Sequence, residues 1–285
     1  MYDPTLTPLP ETPEFIQEKL QEFQDELGRE VPPDSDVDCG EDELPAHAQA
    51  ALKCATLVSD EFKLVFLRSE WWVVKDTVEL WVKYWAKRLE IFGPEKAFLP
   101  LTMEKGGALE DVAQDIVEIM KLCQVQILDG VYDPLQRGIT ALHLTGELSQ
   151  YDPNVVLKAT WYMGHVALED ENVQRRGMIF LVQPKFASMN EFRNTPLAML
   201  SGCLQGVFPL NVAVCHMINP PFIFSFLYGI LSMIIGKRLS DRIIVHSGEV
   251  TDQLSNHGLD ATQIPVMFGG EIETNALSST IEVFG

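Results

Sequence analysis

The sequence predicts an α/β protein: an all-helical N-terminal part followed by a mixed, largely parallel sheet flanked by helices. Three observations carry this. The first 120 or so residues show apolar groups at helical spacing. Five short apolar runs of strand length then follow: Val125–Leu128, Ile139–Leu144, Met178–Val182, Val212–Ile218 and Ile243–His246. Between them, residues 153–170, 196–207 and 221–235 read as helices, and such alternation is the signature of parallel strands joined by crossovers.

In chain order, residues 1–10 read as a flexible arm. Residues 13–27 read as an amphipathic helix with Phe15, Ile16, Leu20, Phe23 and Leu27 on one side, Pro13 at the start and Gly28 as the stop. Residues 30–43 are acidic and rich in turn formers, and read as a linker. Helical pattern resumes near Pro45. Asp76 with Glu79 suits a helix N-terminus, the helix behind it carries Val78, Val82, Trp85 and Leu89 as one stripe with Lys83, Lys87 and Arg88 off it, and Gly93-Pro94 ends it. A further helix is expected from Leu109 to Leu122. The domains read from this are an acidic arm over 1–43, a helical subdomain over 44–123, a sheet domain over 124–270 and a tail over 271–285.

The net charge is −20, and residues 1–50 hold 14 acidic against 2 basic residues, so 12 of those charges sit there. No basic footprint for nucleic acid remains, while the acidic segment suits a basic protein partner. The 5 cysteines, Cys39, Cys54, Cys123, Cys203 and Cys215, are odd in number and form no CxxC, which fits free thiols in a reducing compartment. The N-terminus has no basic and apolar leader pattern, so a cytoplasmic location is expected. The uncharged run Pro220–Gly236 is 17 residues long, begins with two prolines and contains Gly229. That is short of the roughly 20 residues a spanning helix needs, so a buried or membrane-surface helix is expected.

Catalytic patterns are missing. There is no GxSxG, no HExxH and no GxGxxG after a strand. Gly229 to Lys237 only superficially resembles a phosphate loop, with six residues between the glycines and Arg238 where Ser or Thr would hold magnesium. The 6 histidines show no metal-ligand spacing. No enzyme, no cofactor and no metal site is expected.

The segment 196–236 is the most informative. Leu197, Leu200, Leu204 and Phe208 lead into a strand with Val212, Val214, His216 and Ile218 on one face. After it come Phe222, Phe224, Phe226, Leu227, Ile230, Leu231, Ile234 and Ile235, which surround the helix axis. Such a helix is buried on every side or meets lipid.

The order of motifs resembles the CRAL-TRIO lipid-binding family, in the animal-type branch that includes the tocopherol-transfer and retinaldehyde-binding proteins. FLRSEWWVVKDTVELWVKYWAKRLEIFG (Phe66–Gly93) is similar to the family's FLR segment and the helix behind it. Tyr132-Asp133 with Gln136-Arg137-Gly138 stands, in altered order, where the family has an Asp-x-x-Gly-Arg turn. Gln174–Met178, FPLNVAVCHMINPP (Phe208–Pro221), RIIVHSG (Arg242–Gly248) and IPVMFGG (Ile264–Gly270) follow in the family's order.

The resemblance implies a gated hydrophobic cavity that binds and transfers a small lipid such as a tocopherol, retinoid, other isoprenoid or sterol, by a monomer meeting membranes transiently. Lining residues carried over are Leu157, Thr160, Trp161, Gly164, Ile179, Leu181, Leu200, Leu204, Phe208, Leu210, Val212 and Val214, with Phe222, Phe226 and Ile230 from the gate. Lys237, Arg238 and Arg242 are the implied membrane contacts. Phosphatidylinositol-transferring relatives have Glu where this chain has Leu210, and tocopherol-type relatives have basic residues where it has Asn211, Ala213 and Glu70. Those departures weigh against an inositol headgroup and against phosphoinositide-driven exchange. Phospholipid transfer and a lipid-responsive regulatory module are the alternatives.

Overall fold

The computed structural model describes residues 10–30, 44–54, 57–185, 206–222, 237 and 239–273. The expected helices over 196–207 and 221–235, the arm over 1–10 and the linker over 30–43 fall, apart from their outermost residues, outside this set. The chain divides into two compact units, one formed by residues 5–113 with 206–209, the other by 1–4, 114–205 and 210–285.

The first unit is helical. Helix α1 spans Pro13–Glu30 and starts where Thr12 accepts a hydrogen bond from the Phe15 N–H at 3.2 Å. It runs through Gly28, which lacks the positive φ that would turn the chain out of a helix. Composition alone does not stop a helix; the left-handed conformation does, as at Gly93 (φ 74), which ends α4. Helices α2 (Ala46–Lys53), α3 (Asp60–Ser69) and α4 (Val74–Phe92) follow. The start of α4 departs from expectation: Val73 is its cap and no side chain caps it, so Asp76 stands in the first turn instead.

Aromatic rings hold this unit together. Trp81 lies edge-on to Phe66 at 4.8 Å and to Phe23 at 5.6 Å between ring centroids, and Trp85 stacks on Phe98 at 6.1 Å. The stripe on α4 is wider than Val78, Val82, Trp85 and Leu89, because Arg88 is buried within it. Its guanidinium donates to Tyr84 Oη at 3.0 Å and to the Leu99 carbonyl at 2.6 Å while packing over the Trp85 and Phe92 rings. The Phe-Leu-Arg segment lies on α3, where Arg68 forms a buried pair with Glu11, Nη2 to Oε2 at 2.7 Å. That bond and Phe23 tie α1 to the helical unit, so α1 is part of a core and not of a free arm.

The second unit is built on a five-stranded sheet in the order β1-β2-β3-β4-β5. The strands are β1 (Val125–Tyr132), β2 (Gly138–Thr145), β3 (Met178–Lys185), β4 (Val212–Ile218) and β5 (Ile243–His246). β1 is antiparallel to β2, and β2 through β5 are parallel. The helix expected over 109–122 is a 3-10 turn, Glu110–Val112, running into α5, Ala113–Lys121. The helix expected over 153–170 is α6, Pro153–Ala167, and a further helix, α7 (Glu171–Arg176), follows it, Asp170 capping its start by accepting from the Asn172 N–H at 2.8 Å. Helix α8 spans Thr251–Ser255.

The turn between β1 and β2 explains the altered motif order. Asp133 is buried; its Oδ1 accepts the Arg137 N–H at 2.8 Å and its Oδ2 accepts Arg137 Nη2 at 2.6 Å. The acid and the arginine close one self-satisfied loop. Gly177 opens β3 at φ 79, ψ −170, a conformation essentially confined to glycine, and a Cβ there would stand 2.6 Å from the Asn211 carbonyl. Gly177→Ala is therefore expected to lower unfolding free energy by about 2–3 kcal/mol in urea titration; a loss under a few tenths would mean the turn relaxes freely.

Candidate functional site

Side chains two apart on a strand share a face, and the register extends each face across the sheet. One face carries Ile139, Ala141, Ile179, Leu181, His216 and Ile218, each at most 1% exposed. The other carries Thr140, Leu142, Phe180, Val182, Cys215 and Met217. There Phe180 and Cys215, on central strands, are only half-buried, and Val245 on β5 is 52% exposed. The first face is closed at Ile139, Ala141, Ile179, Leu181, His216 and Ile218, with Val214 and His143 half-buried toward its ends; the second is open at Phe180 and Cys215 in its middle.

The open face is apolar throughout. The hydroxyl of Thr140 donates to Met178 Sδ at 2.8 Å, so its proton is already used. An apolar side chain that stays accessible in the middle of a sheet borders a space rather than a packed core.

Helix α6 lies on this open side. Val125 pairs with Leu142, hence shares its face, and borders a cleft with Leu148, Val156, Ala159, Thr160 and Met163. The cleft measures about 20 Å³, room for a water and too little for a lipid. Leu157, Thr160, Trp161 and Gly164 lie along one side of α6; Trp161 is fully buried and the other three half-buried, and of the four Thr160 borders the cleft. Thr160 Oγ1 donates to the Val156 carbonyl at 2.8 Å and keeps only its lone pairs for a ligand.

Other expected lining residues are placed differently. Ile179 and Leu181 point to the closed face, one residue out of phase with Phe180 and Val182. Val212 and Val214, two apart, would share a face in a regular strand. A register irregularity separates them: Val212 pairs with Met178 on the open face and Val214 with Ile179 on the closed one. Phe208 belongs to the helical unit, its ring 6.4 Å from Tyr84. Leu210 is half-buried and Phe222 is 95% exposed. Leu200, Leu204, Phe226 and Ile230 lie outside the described residues.

Of the expected membrane contacts, Lys237 is exposed, Arg238 lies outside the described residues, and Arg242 is half-buried with Nη1 donating to the Val212 carbonyl. The bond between Arg242 and Val212 joins the starts of β4 and β5, so it serves the sheet. Among the described residues no helix is long and apolar enough to cross a membrane.

The closed face holds a cluster that sequence spacing gave no hint of, because its members come from three separate segments. His216 Nδ1 meets His246 Nε2 at 2.8 Å, His246 Nδ1 meets Gln253 Oε1 at 3.2 Å, and the His257 ring lies 5.2 Å from that of His216. Burial, then His246, His257 and Arg137, push His216 down to about 3. Among the described residues no three His, Cys, Asp or Glu side chains are disposed to hold a metal ion. Phe180, Cys215 and Met217 were likewise missed; the strand alternation held the signal, but its phase depends on the register.

A family model described as the CRAL/TRIO domain matches residues 128–270, about half of the chain. The alpha-tocopherol transfer protein-like protein of Mus musculus is 22% identical over 139 residues, 47% of this chain and 40% of that protein. The human protein of the same description is 22% identical over 125 residues, 43% of this chain and 36% of that protein. The matched part thus spans about 40% of the length of these curated relatives or less. Among solved structures, "Crystal structure of Sfh5" is similar at a TM-score of 0.50 and 12% identity, over 90% of this chain and 89% of that one, a likeness of fold.

Proposed function

The chain belongs to the CRAL/TRIO domain family, and from that premise we propose that it binds and transfers a small hydrophobic lipid laid against the open face of its sheet. The observation that carries this is the difference between the two faces: Ile179 and Leu181 are sealed while their neighbours Phe180 and Cys215 are not. Phe180, Val182, Cys215 and Met217 form the floor, and the α6 stripe with Thr160 forms one wall. Removing apolar cargo from water onto such a surface gains roughly 25 cal/mol per Å². The fully exposed Phe222 and Lys237 make transient contact with a membrane surface, from which a cytoplasmic carrier takes its cargo. No chemical step is assigned to any residue.

We expect a cargo with one small polar end, such as a tocopherol, retinoid, other isoprenoid or sterol, because among the described residues the open face offers no charged partner for a phosphate and Leu210 stands where an inositol lipid needs an acid. Incubation with liposomes containing a sterol, a tocopherol, a retinoid and phosphatidylinositol, followed by extraction and mass spectrometry, tests it. Enrichment of one apolar lipid is the expected result; preferential uptake of phosphatidylinositol would overturn the cargo assignment.

A second reading, a lipid-responsive module whose acidic N-terminus docks a basic partner, is favoured by one observation: Glu14, Glu18 and Asp25 line the exposed side of α1. Deleting residues 1–43 cannot separate the readings, because it also removes Phe23 and Glu11 from the helical core. Reversing the three exposed charges to Lys can, by changing partner capture while leaving lipid uptake intact.

A further inference from the structure

Strand β5 is an edge strand of four residues, Ile243–His246, held to β4 over four residue pairs. Beyond its ladder two devices fasten it. Asn219, at φ 44, clamps Gly248: its Nδ2 donates to the Gly248 carbonyl at 3.1 Å and its Oδ1 accepts the Gly248 N–H at 2.8 Å. The Asn219 N–H also donates to the His246 carbonyl at 2.9 Å. The second device is the pair of rings His216 and His246, both buried, with Nδ1 of one and Nε2 of the other 2.8 Å apart. Both devices sit where the chain leaves β4 for the uncharged run 220–236 and where it returns.

We propose that the His216–His246 pair is a pH-sensitive latch that holds β5 and the α8 segment on β4 and lets them go when both imidazoles are protonated. The bond between the rings requires one nitrogen to donate and the other to accept. A second proton turns the acceptor into a donor and sets two cations ring to ring. Among the described residues the groups around them offer no relief. From the turn before β2, Arg137 adds a positive charge, and its neighbour Asp133 is consumed by Arg137 itself. From the segment after α8, His257 faces both rings at 5.2 and 5.6 Å. From α8, Gln253 can accept from His246 but carries no charge. From β3, the aligned neighbour Leu181 is apolar.

The sign follows from the direction of the shifts. His216 and His246 are both lowered in the closed state by burial, whereas an open state returns them to the ordinary value of about 6.5. The open form therefore binds more protons. The latch is fully set above pH ~6.5 and weakens as pH falls toward the closed-state value of His216, about 3. Between pH 7.5 and 5.5 His216 alone raises the open population about 10-fold, and His246, lowered in the same direction, adds to it. A membrane surface bearing anionic lipid concentrates protons, so the latch would loosen where cargo is exchanged; this last step rests on the carrier reading.

Native-state hydrogen exchange by mass spectrometry, corrected for intrinsic rates, tests the latch without any cargo. Protection over residues 243–248 is expected to fall at least about 10-fold more between pH 7.5 and 5.5 than protection in β2 and β3. A change below 3-fold, or an equal loss in β2 and β3, overturns the proposal. The double variant H216N/H246Q keeps one amide nitrogen or oxygen near each bonded position and should show no such pH dependence; persistence of the loss also overturns it. Should that variant not fold, H246Q alone leaves one imidazole in the pair and is expected to reduce the pH-dependent loss, with an unchanged loss counting against the latch. A protein that takes up no fluorescent sterol at either pH while the exchange behaves as stated refutes the carrier reading and leaves the latch standing.

Discussion

Phe180→Asp is expected to lower the affinity for an apolar lipid by more than about 100-fold, the equivalent of roughly 2.7 kcal/mol. The substitution sets a carboxyl group in the middle of the open face, flanked by Thr140 on β2 and Cys215 on β4. Cargo lying there would strip water from that group, and an unpaired polar group taken from water costs about 2–7 kcal/mol. With the space empty, water reaches the carboxylate, so folding is affected less than binding. Leu181→Ala, one residue away on the sealed face, should behave in reverse. It leaves a void in a packed layer and costs about 2–5 kcal/mol of stability, while the folded fraction keeps its affinity. Titration with a fluorescent sterol and urea unfolding of both variants separate the two faces. Equal effects of the two substitutions on affinity would show that the sheet is not read from one side.

The largest stability effect is expected at Trp81→Ala. Trp81 is 1% exposed and meets Phe23, Phe62, Phe66 and Trp85 within 5.8 Å of ring centroids. Removing a buried aromatic of this size costs about 3–5 kcal/mol through lost transfer free energy and the void left behind. Because Phe23 is one of the rings, α1 should lose amide protection with the rest of the helical unit. Calorimetry should show an early transition for that unit, with the sheet unit melting as before. A loss under 1 kcal/mol would mean that the ring cluster repacks without it.

Strand positions were legible because each is a short run of β-branched and apolar residues between turn formers, and β4 and β5 were placed to the residue. Helix existence was legible for the same reason in its 3.6-residue form. What failed was local. Gly28 was read as a stop, yet it lacks the positive φ of the Gly93 cap and the helix runs through it. Arg88 was read as lying off the apolar stripe, yet a guanidinium that finds two oxygens and two ring faces is at home in a core. On β3 the open face carries Phe180 and Val182 where Ile179 and Leu181 were expected as lining, and period-two alternation converts a one-residue shift into the opposite face. On β4 no reading of alternation could have put Val212 and Val214 on different faces, since the irregularity between them is a property of strand pairing. The histidine cluster needed the fold itself, which brings positions 216, 246 and 257 together.

The central claim, that a lipid lies on the Phe180 and Cys215 face, is tested most directly by photolabelling. A diazirine-bearing isoprenoid alcohol is loaded, irradiated, and its attachment sites mapped by peptide mass spectrometry. Labels on Phe180, Val182, Cys215, Met217 or the Leu157–Gly164 stripe are the predicted result. Labels on Ile179 and Leu181, labels confined to the helical unit, or no uptake of the probe would contradict it.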